Sequence, residues 1–374
     1  MNNKDLYLTK LPNCISFKCE SNEYNIFSPK YSHQIFGPIE NIFGYQELNI
    51  VIRMTPSGSY YTIKISHKKE FKLQTDLYSQ ITEIKEKLTK HLHEESYCVR
   101  TRPFEAHLSK EKENEEFQPP GNIVRRFSCE NGKRNFIITM GTFKDERLVQ
   151  YFKRIQHLNL WFIDGYRLLD TTDPNWRIFF LFEKCAHTFR KEPTYYYTIG
   201  GFSCVYLFSL SRDSKRLRIS TFFILPAYAA TDNTEYHLLS AINRYARGEV
   251  RIDMVTCEDP DSHLQLYRSS FDFVRFLRAS KNGFDPQKAK QIMKQLQMCL
   301  RQFRICVECW YLIQKNNKDF QKSQKLIRSR LENEIDDYFL ETDEEKRIEK
   351  EMKFLHQVIE FANLLNDNQE FWVN

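Results

Sequence analysis

Three strand-like runs, rich in aromatic and β-branched residues, succeed one another through the middle of the chain. They are NWRIFFLFEK (175–184), YYYTIGGFSCVYLF (195–208) and RLRISTFFIL (216–225). Consecutive strands of this composition pair as an antiparallel meander. A polar loop that opens a helix follows at once, AYAATDNTEYH (227–237). One more apolar strand, VRIDMVTC (250–257), then ends in the acidic pair Glu258-Asp259. With 374 residues, 41% hydrophobic and 14% aromatic, the chain has ample material for a packed core and for two or three domains.

Composition divides the chain into three stretches. Residues 1–120 mix short alternating segments with turn residues and one helical pattern, TDLYSQITEIKEKLTKHL (75–92). The charge run SKEKENEEF (109–117) and Gln118-Pro119-Pro120-Gly121 mark the boundary that follows. Residues 121–272 alternate strands and helices: RNFIITMGTF (134–143) reads as a strand and DERLVQYFKRIQHL (145–158) as a helix with apolar spacing. Residues 273–374 read as helical, and no glycine follows Gly283. The class is α/β (α+β), with a mixed amino-terminal domain and a helical carboxy-terminal one.

Charge and cysteine usage narrow the function classes. The net charge of +6 is spread among Asp and Glu along the whole chain. It reads as solvated faces and gives no nucleic-acid signature. No run approaches the roughly 20 apolar residues that span a bilayer, and MNNKDLYLTK lacks an apolar signal core, so no membrane partner is expected. Ten scattered cysteines without a secretory signal point to reduced thiols in the nucleus and cytoplasm. Cys306 and Cys309 stand one helical turn apart in an apolar-spaced segment, with neither a second such pair nor a close histidine pair to complete a tetrahedral site. They read as core residues, and no metal is expected. Gly200-Gly201 inside a strand signals a bulge or a close backbone approach.

Glu258 and Asp259 sit where an apolar strand meets Pro260, which forces a turn. A carboxylate at a strand end can take the proton of an amine if partial burial raises its affinity for that proton. The bland alternative is an acidic turn in which Asp259 or Asp261 caps the next helix. Pattern alone favours the bland reading.

These segments, taken in order, resemble the GNAT acyltransferases and, more narrowly, the type B histone acetyltransferases. YSHQIFGPIENIFGYQELNI (31–50) resembles the amino-domain signature of that family. LWFIDGYRLLDTTDPNWRIFFLFEK (160–184) looks like its first core strands, and SCVYLF (203–208), RISTFFIL (218–225) and CEDPDSHLQLYR (257–268) look like the remaining core elements. The resemblance covers roughly residues 30–275. It implies acetyl-CoA as co-substrate and direct transfer to lysines in the amino-terminal tail of newly made histone H4, accompanied by H3. It also implies a WD-repeat histone chaperone of the retinoblastoma-binding type as partner. Residue by residue, it puts Glu258 at the general base, Asp259 beside it and Asp164 at a third carboxylate. It assigns the cofactor's pantetheine arm to the backbone of Phe222, Phe223 and Ile224, and its diphosphate to the loop from Ala229 and Ala230 through Thr231, Asp232, Asn233, Thr234 and Glu235, with Asp261. Tail contacts fall on Glu40 and on Tyr206, Leu207 and Phe208. As a tail contact, Tyr206 competes equally with a core aromatic.

The diphosphate loop departs from the family. GNAT enzymes share Q/R-x-x-G-x-G/A there, whose glycines let backbone N–H groups converge on the anion at a helix terminus. No glycine lies between Gly201 and Gly248, and Asp232-x-x-Glu235 reads as a capping box. An aspartate cap would accept the N–H bonds a diphosphate needs. Charge-assisted bonds of this kind are worth roughly 1.5–3 kcal/mol each, so acetyl-CoA affinity is expected to fall by orders of magnitude. Three functions follow: an acetyltransferase with a weakened cofactor site, a catalytically impaired homologue serving as a histone or chaperone interaction module, or a GNAT enzyme with another acceptor such as a polyamine.

Overall fold

Apolar alternation marks strands such as β2, β6 and β13, continuous apolar runs mark β10, β11 and β12, and their partners fix the architecture. The computed structural model describes residues 8–11, 13–21, 24–70, 78–113, 116–129, 132–186, 195–229, 233–281, 283–314, 317–333 and 344–367. Their strands are β1 (Leu8–Lys10), β2 (Ile15–Glu20), β3 (Tyr24–Phe27), β4 (Asn41–Phe43), β5 (Tyr45–Gln46), β6 (Asn49–Met54), β7 (Tyr61–Ser66), β8 (Lys69–Glu70), β9 (Asn122–Cys129), β10 (Arg134–Gly141), β11 (Trp176–Ala186), β12 (Tyr195–Ser209), β13 (Lys215–Ile224) and β14 (Ile252–Cys257). The helices are α1 (His33–Phe36), α2 (Tyr78–Thr89), α3 (Thr101–Lys112), α4 (Glu146–Ile155), α5 (Asn159–Phe162), α6 (Thr234–Gly248), α7 (Ser262–Ala279), α8 (Ala289–Gln295), α9 (Leu300–Ile313), α10 (Asn317–Asn333) and α11 (Glu344–Asp367). Contacts group the chain into two units, residues 1–204 with 221–232 and residues 205–220 with 233–374.

In the first unit, a four-stranded sheet runs β3-β2-β6-β7, with β2 and β6 parallel and the other pairs antiparallel. A second sheet runs β9-β10-β11-β12-β13, and the β9-β10-β11 ladder is antiparallel. Helix α4 covers this sheet with one face only: Leu148, Tyr151, Phe152 and Ile155 are buried at helical spacing. Asp145 caps it by accepting from the N–H groups of Arg147 and Leu148. The strand read at 175–184 is β11, which begins at Trp176, while residues 160–162 of the segment likened to the first core strands belong to helix α5; Gln156–Phe162 continues the helical run of α4 in short turns. The charge run at 109–117 starts as the last turn of α3, where Glu111 is buried. Its carboxylate accepts from Ser57 N–H at 2.9 Å, Ser57 Oγ at 2.7 Å and Thr55 Oγ1 at 2.8 Å.

In the second unit, the end of β12, the start of β13 and β14 lie in that order. β13 and β14 are parallel, from Lys215↔Ile252 to Ile219↔Cys257, and the crossover between them is α6. A parallel pair needs such a connection because a tight turn cannot join it. The buried α7 packs with α9 and α11, and α10 packs on α9. Cys306 and Cys309 are wholly buried in α9, and burial pushes both thiols up, so they are the core residues the spacing suggested. The fold is of the expected α/β class, with a crossover helix joining the parallel strands β13 and β14.

Candidate functional site

In the first unit, Asp164 and Glu40 share a neighbour that the sequence reading passed over. His33 Nε2 lies 2.9 Å from Asp164 Oδ1, and His33 Nδ1 lies 3.8 Å from Glu40 Oε1. Local backbone contacts explain the meeting. Lys30 and Tyr31 both donate their N–H to the Trp161 carbonyl at 2.9 Å, and Gln34 Nε2 donates to the carbonyls of Leu160 and Ile163. The 30–37 segment is therefore bolted to the segment that carries Asp164. Glu40 is itself satisfied, accepting from Ser32 N–H at 2.9 Å and from Ser32 Oγ at 2.6 Å. Those bonds, with a smaller contribution from His33, hold its carboxyl below the usual range. Asp164 remains 66% exposed and open to a ligand.

Phe162, two residues before Asp164, stacks on Phe223 at 5.0 Å. Phe222, Phe223 and Ile224 lie beyond Ile219, where the β13–β14 ladder stops. On the other side, β12 comes so close that a Cβ on Gly201 would lie 2.3 Å from the Phe223 carbonyl oxygen. The paired glycines are thus a close-approach device. The loop that follows is pinned at its start. Leu225 N–H donates to the Gly200 carbonyl and Ala229 N–H to the Leu225 carbonyl. The Tyr228 hydroxyl donates to Glu183, which also pairs with Arg134 at 2.9 Å. Ala230, Thr231 and Asp232 lie outside the described residues.

The start of α6 corrects the capping-box reading. The helix begins at Thr234, and Asn233 occupies the cap with a left-handed backbone (φ 53°) and no side-chain cap bond. Asparagine tolerates that conformation better than most residues. Glu235 then stands second in the helix instead of third, so it does not occupy the second position of the box. Glu235 is buried, and its Oε2 accepts from Thr234 Oγ1 at 3.2 Å.

The second unit gathers the other candidates. Glu258 follows the last residue of β14, and its N–H donates to the Ile219 carbonyl at 2.9 Å. Its side chain is 39% exposed and pairs with Arg218 Nη1 at 3.2 Å. A carboxylate open to solvent and beside a guanidinium replaces the partly buried one expected. Arg218 in turn lies over the Phe208 ring at 4.6 Å, as does Arg216, and Phe208 touches Tyr206 at 4.6 Å. Leu207 is buried, because alternate residues of β12 face the core, so it cannot line a tail groove. Asp259 is exposed in a left-handed backbone (φ 32°) before Pro260. Asp261 caps α7, accepting from Leu264 N–H at 2.8 Å, which is the bland alternative for that residue. Among the described residues no cluster of His, Cys, Asp or Glu could hold a metal.

Sequence comparison adds an independent line. Residues 7–164 match the family described as histone acetyl transferase HAT1 N-terminus. A histone acetyltransferase type B catalytic subunit of Dictyostelium discoideum is 27% identical over 327 residues, 82% of this chain and 67% of that protein. The chain thus spans about two thirds of that relative's length. The protein of the same description from Schizosaccharomyces pombe is 25% identical over 338 residues, 87% of this chain and 82% of its own. Among solved structures, an aminoglycoside acetyltransferase from an uncultured soil metagenomic sample, in complex with sisomicin, aligns over 36% of this chain and 86% of that one. Its identity of 13% and TM-score of 0.25 make the likeness too slight to weigh.

Proposed function

We propose that this chain, which belongs with the type B histone acetyltransferase catalytic subunits, transfers an acetyl group from acetyl-CoA to lysines of the histone H4 amino-terminal tail. The observation that carries this reading is Glu258, a solvent-reachable carboxylate anchored at the carboxyl end of a parallel strand. A lysine amine with a pKa near 10.4 must shed a proton before it can attack a carbonyl carbon. Glu258 takes that proton, directly or through one water, with Asp259 beside it; Asp164 is assigned as a further assisting carboxylate on family kinship. Acetyl-CoA supplies the acyl group as an activated thioester. The backbone of Phe222–Ile224, beyond the end of the β13–β14 ladder, offers the hydrogen bonds that an extended pantetheine arm uses. Glu40 and Tyr206 contribute to holding the tail. We assign the WD-repeat histone chaperone as partner, histone H3 as companion of H4, and the nucleus and cytoplasm as the location, on family kinship.

One observation favours a second reading, a homologue that keeps the fold for histone or chaperone binding. The first turn of α6 carries the buried carboxylate of Glu235, and no glycine lies between Gly201 and Gly248. The helix amino terminus is a place where glycines would let backbone N–H groups converge on a diphosphate, and here a side-chain carboxylate stands there instead. Calorimetric titration with acetyl-CoA separates the two readings. Saturable binding supports the enzyme, and an absence of heat at high micromolar ligand leaves only the interaction module.

A further inference from the structure

Arg218 engages two candidate site residues at once, and no motif assigns it a role. Along β13 the residues alternate, with Leu217 and Ile219 buried and Arg216 and Arg218 on the opposite face. Phe208 of β12 lies on that face, with both guanidinium groups 4.6 Å from its ring centre. The ring is therefore already engaged by two cations, at the distance a lysine ammonium would need. Arg218 also reaches across to Glu258, 3.2 Å away, whose backbone N–H is bonded to Ile219. Two adjacent residues of β13 thus hold Glu258, one by its main chain and one by its carboxylate.

We propose that Arg218 is the positioning residue of Glu258, and that Phe208 supports Arg218 instead of walling the histone tail. The inference rests on the reading of Glu258 as the proton acceptor. A glutamate side chain 39% exposed would otherwise sample several rotamers, and proton transfer needs the acceptor within hydrogen-bond reach. Arg218 therefore serves the chemical step and not the grip on the tail.

Steady-state kinetics on the full chain with acetyl-CoA and an H4 tail peptide tests this. Arg218→Met should lower kcat by about 10- to 100-fold, as expected for a misplaced proton acceptor, with KM for the peptide unchanged or lower. Arg218→Lys should recover part of the loss, since an ammonium can pair but cannot fork. Phe208→Leu should lower kcat in the same direction at constant KM. A wild-type kcat in Arg218→Met, or a raised KM with unchanged kcat in Phe208→Leu, would overturn the proposal. If the wild type transfers nothing, the functional reading fails, and NMR of the Arg218 guanidinium then judges the pair alone. Hindered rotation that is released by Glu258→Ala supports the pairing, and identical spectra overturn it.

Discussion

His33 Nε2 stands 2.9 Å from Asp164 Oδ1, a contact between residues 131 apart in the chain. Asp164 is mostly exposed, and on the proposed reading it is a further assisting carboxylate. Among the described residues, the imidazole is the anchor of this short side chain. His33→Ala should therefore lower kcat/KM for the histone peptide by about 5-fold, close to 1 kcal/mol. The double variant with Asp164→Asn should lose less than the sum of the singles, since residues in contact couple. Strict additivity in that cycle would mean that the contact plays no part in activity.

Stability should carry an unusual balance of two buried groups. Burial pushes the Glu111 carboxyl up to about 7 from 4.5. Between those values the native state keeps a proton that the unfolded chain has released, so this contribution to stability fades as pH rises. Burial pushes His157 down to about 3 from 6.5. The unfolded chain binds a proton there that the native state refuses, so this contribution fades as pH falls. Between pH 6.5 and 4.5 the two oppose each other. Glu111→Gln leaves His157 alone, and urea denaturation should show the variant losing about 2 kcal/mol more than wild type over that span.

Arg330 is almost fully buried and pairs with Glu308, also buried, at 2.9 Å, and with Glu351. Removing one member of a buried ion cluster leaves charge without compensation. Arg330→Met should destabilise the second unit by about 3–5 kcal/mol, read as a lower denaturant midpoint. A change below 1 kcal/mol would show that the two glutamates find other partners.

Gly201 is a position where a methyl group has nowhere to go, facing the Phe223 carbonyl oxygen at 2.3 Å and Ile224 Cα at 2.9 Å. Gly201→Ala should cost about 1–3 kcal/mol and weaken acetyl-CoA binding by calorimetry, because it displaces the strand proposed to hold the pantetheine arm. Gly248→Ala is the control. Nothing lies within 4 Å of its Cβ position, and both properties should stay at the wild-type level.

Much of this architecture was legible because it is local. A continuous apolar run, WRIFFLFEK, and the one-sided apolar face of 146–155 announced β11 and α4 directly. The doubled glycine foretold a close approach of strands, and the spacing around Cys306 and Cys309 foretold a buried helix face. Failures came where long-range contacts decide. Glu111 reads as one charge among many, and only Thr55 and Ser57 make its burial tolerable. Asp232 and Glu235 have the letters of a capping box, but α6 starts one residue later than the box requires. Leu207 was grouped with its neighbours although strand alternation turns it inward. His33 and Arg218 carried no motif at all, because an ion pair across the fold leaves no periodic trace in either segment.

Acetyl transfer to an H4 tail peptide, followed by mass spectrometry for the wild type and Glu258→Gln side by side, tests the central claim most directly. Glutamine keeps the shape and cannot take the proton. The account predicts a lysine-acetylated product from the wild type and a rate at least about 100-fold lower from the variant. Equal rates from the two proteins would contradict it.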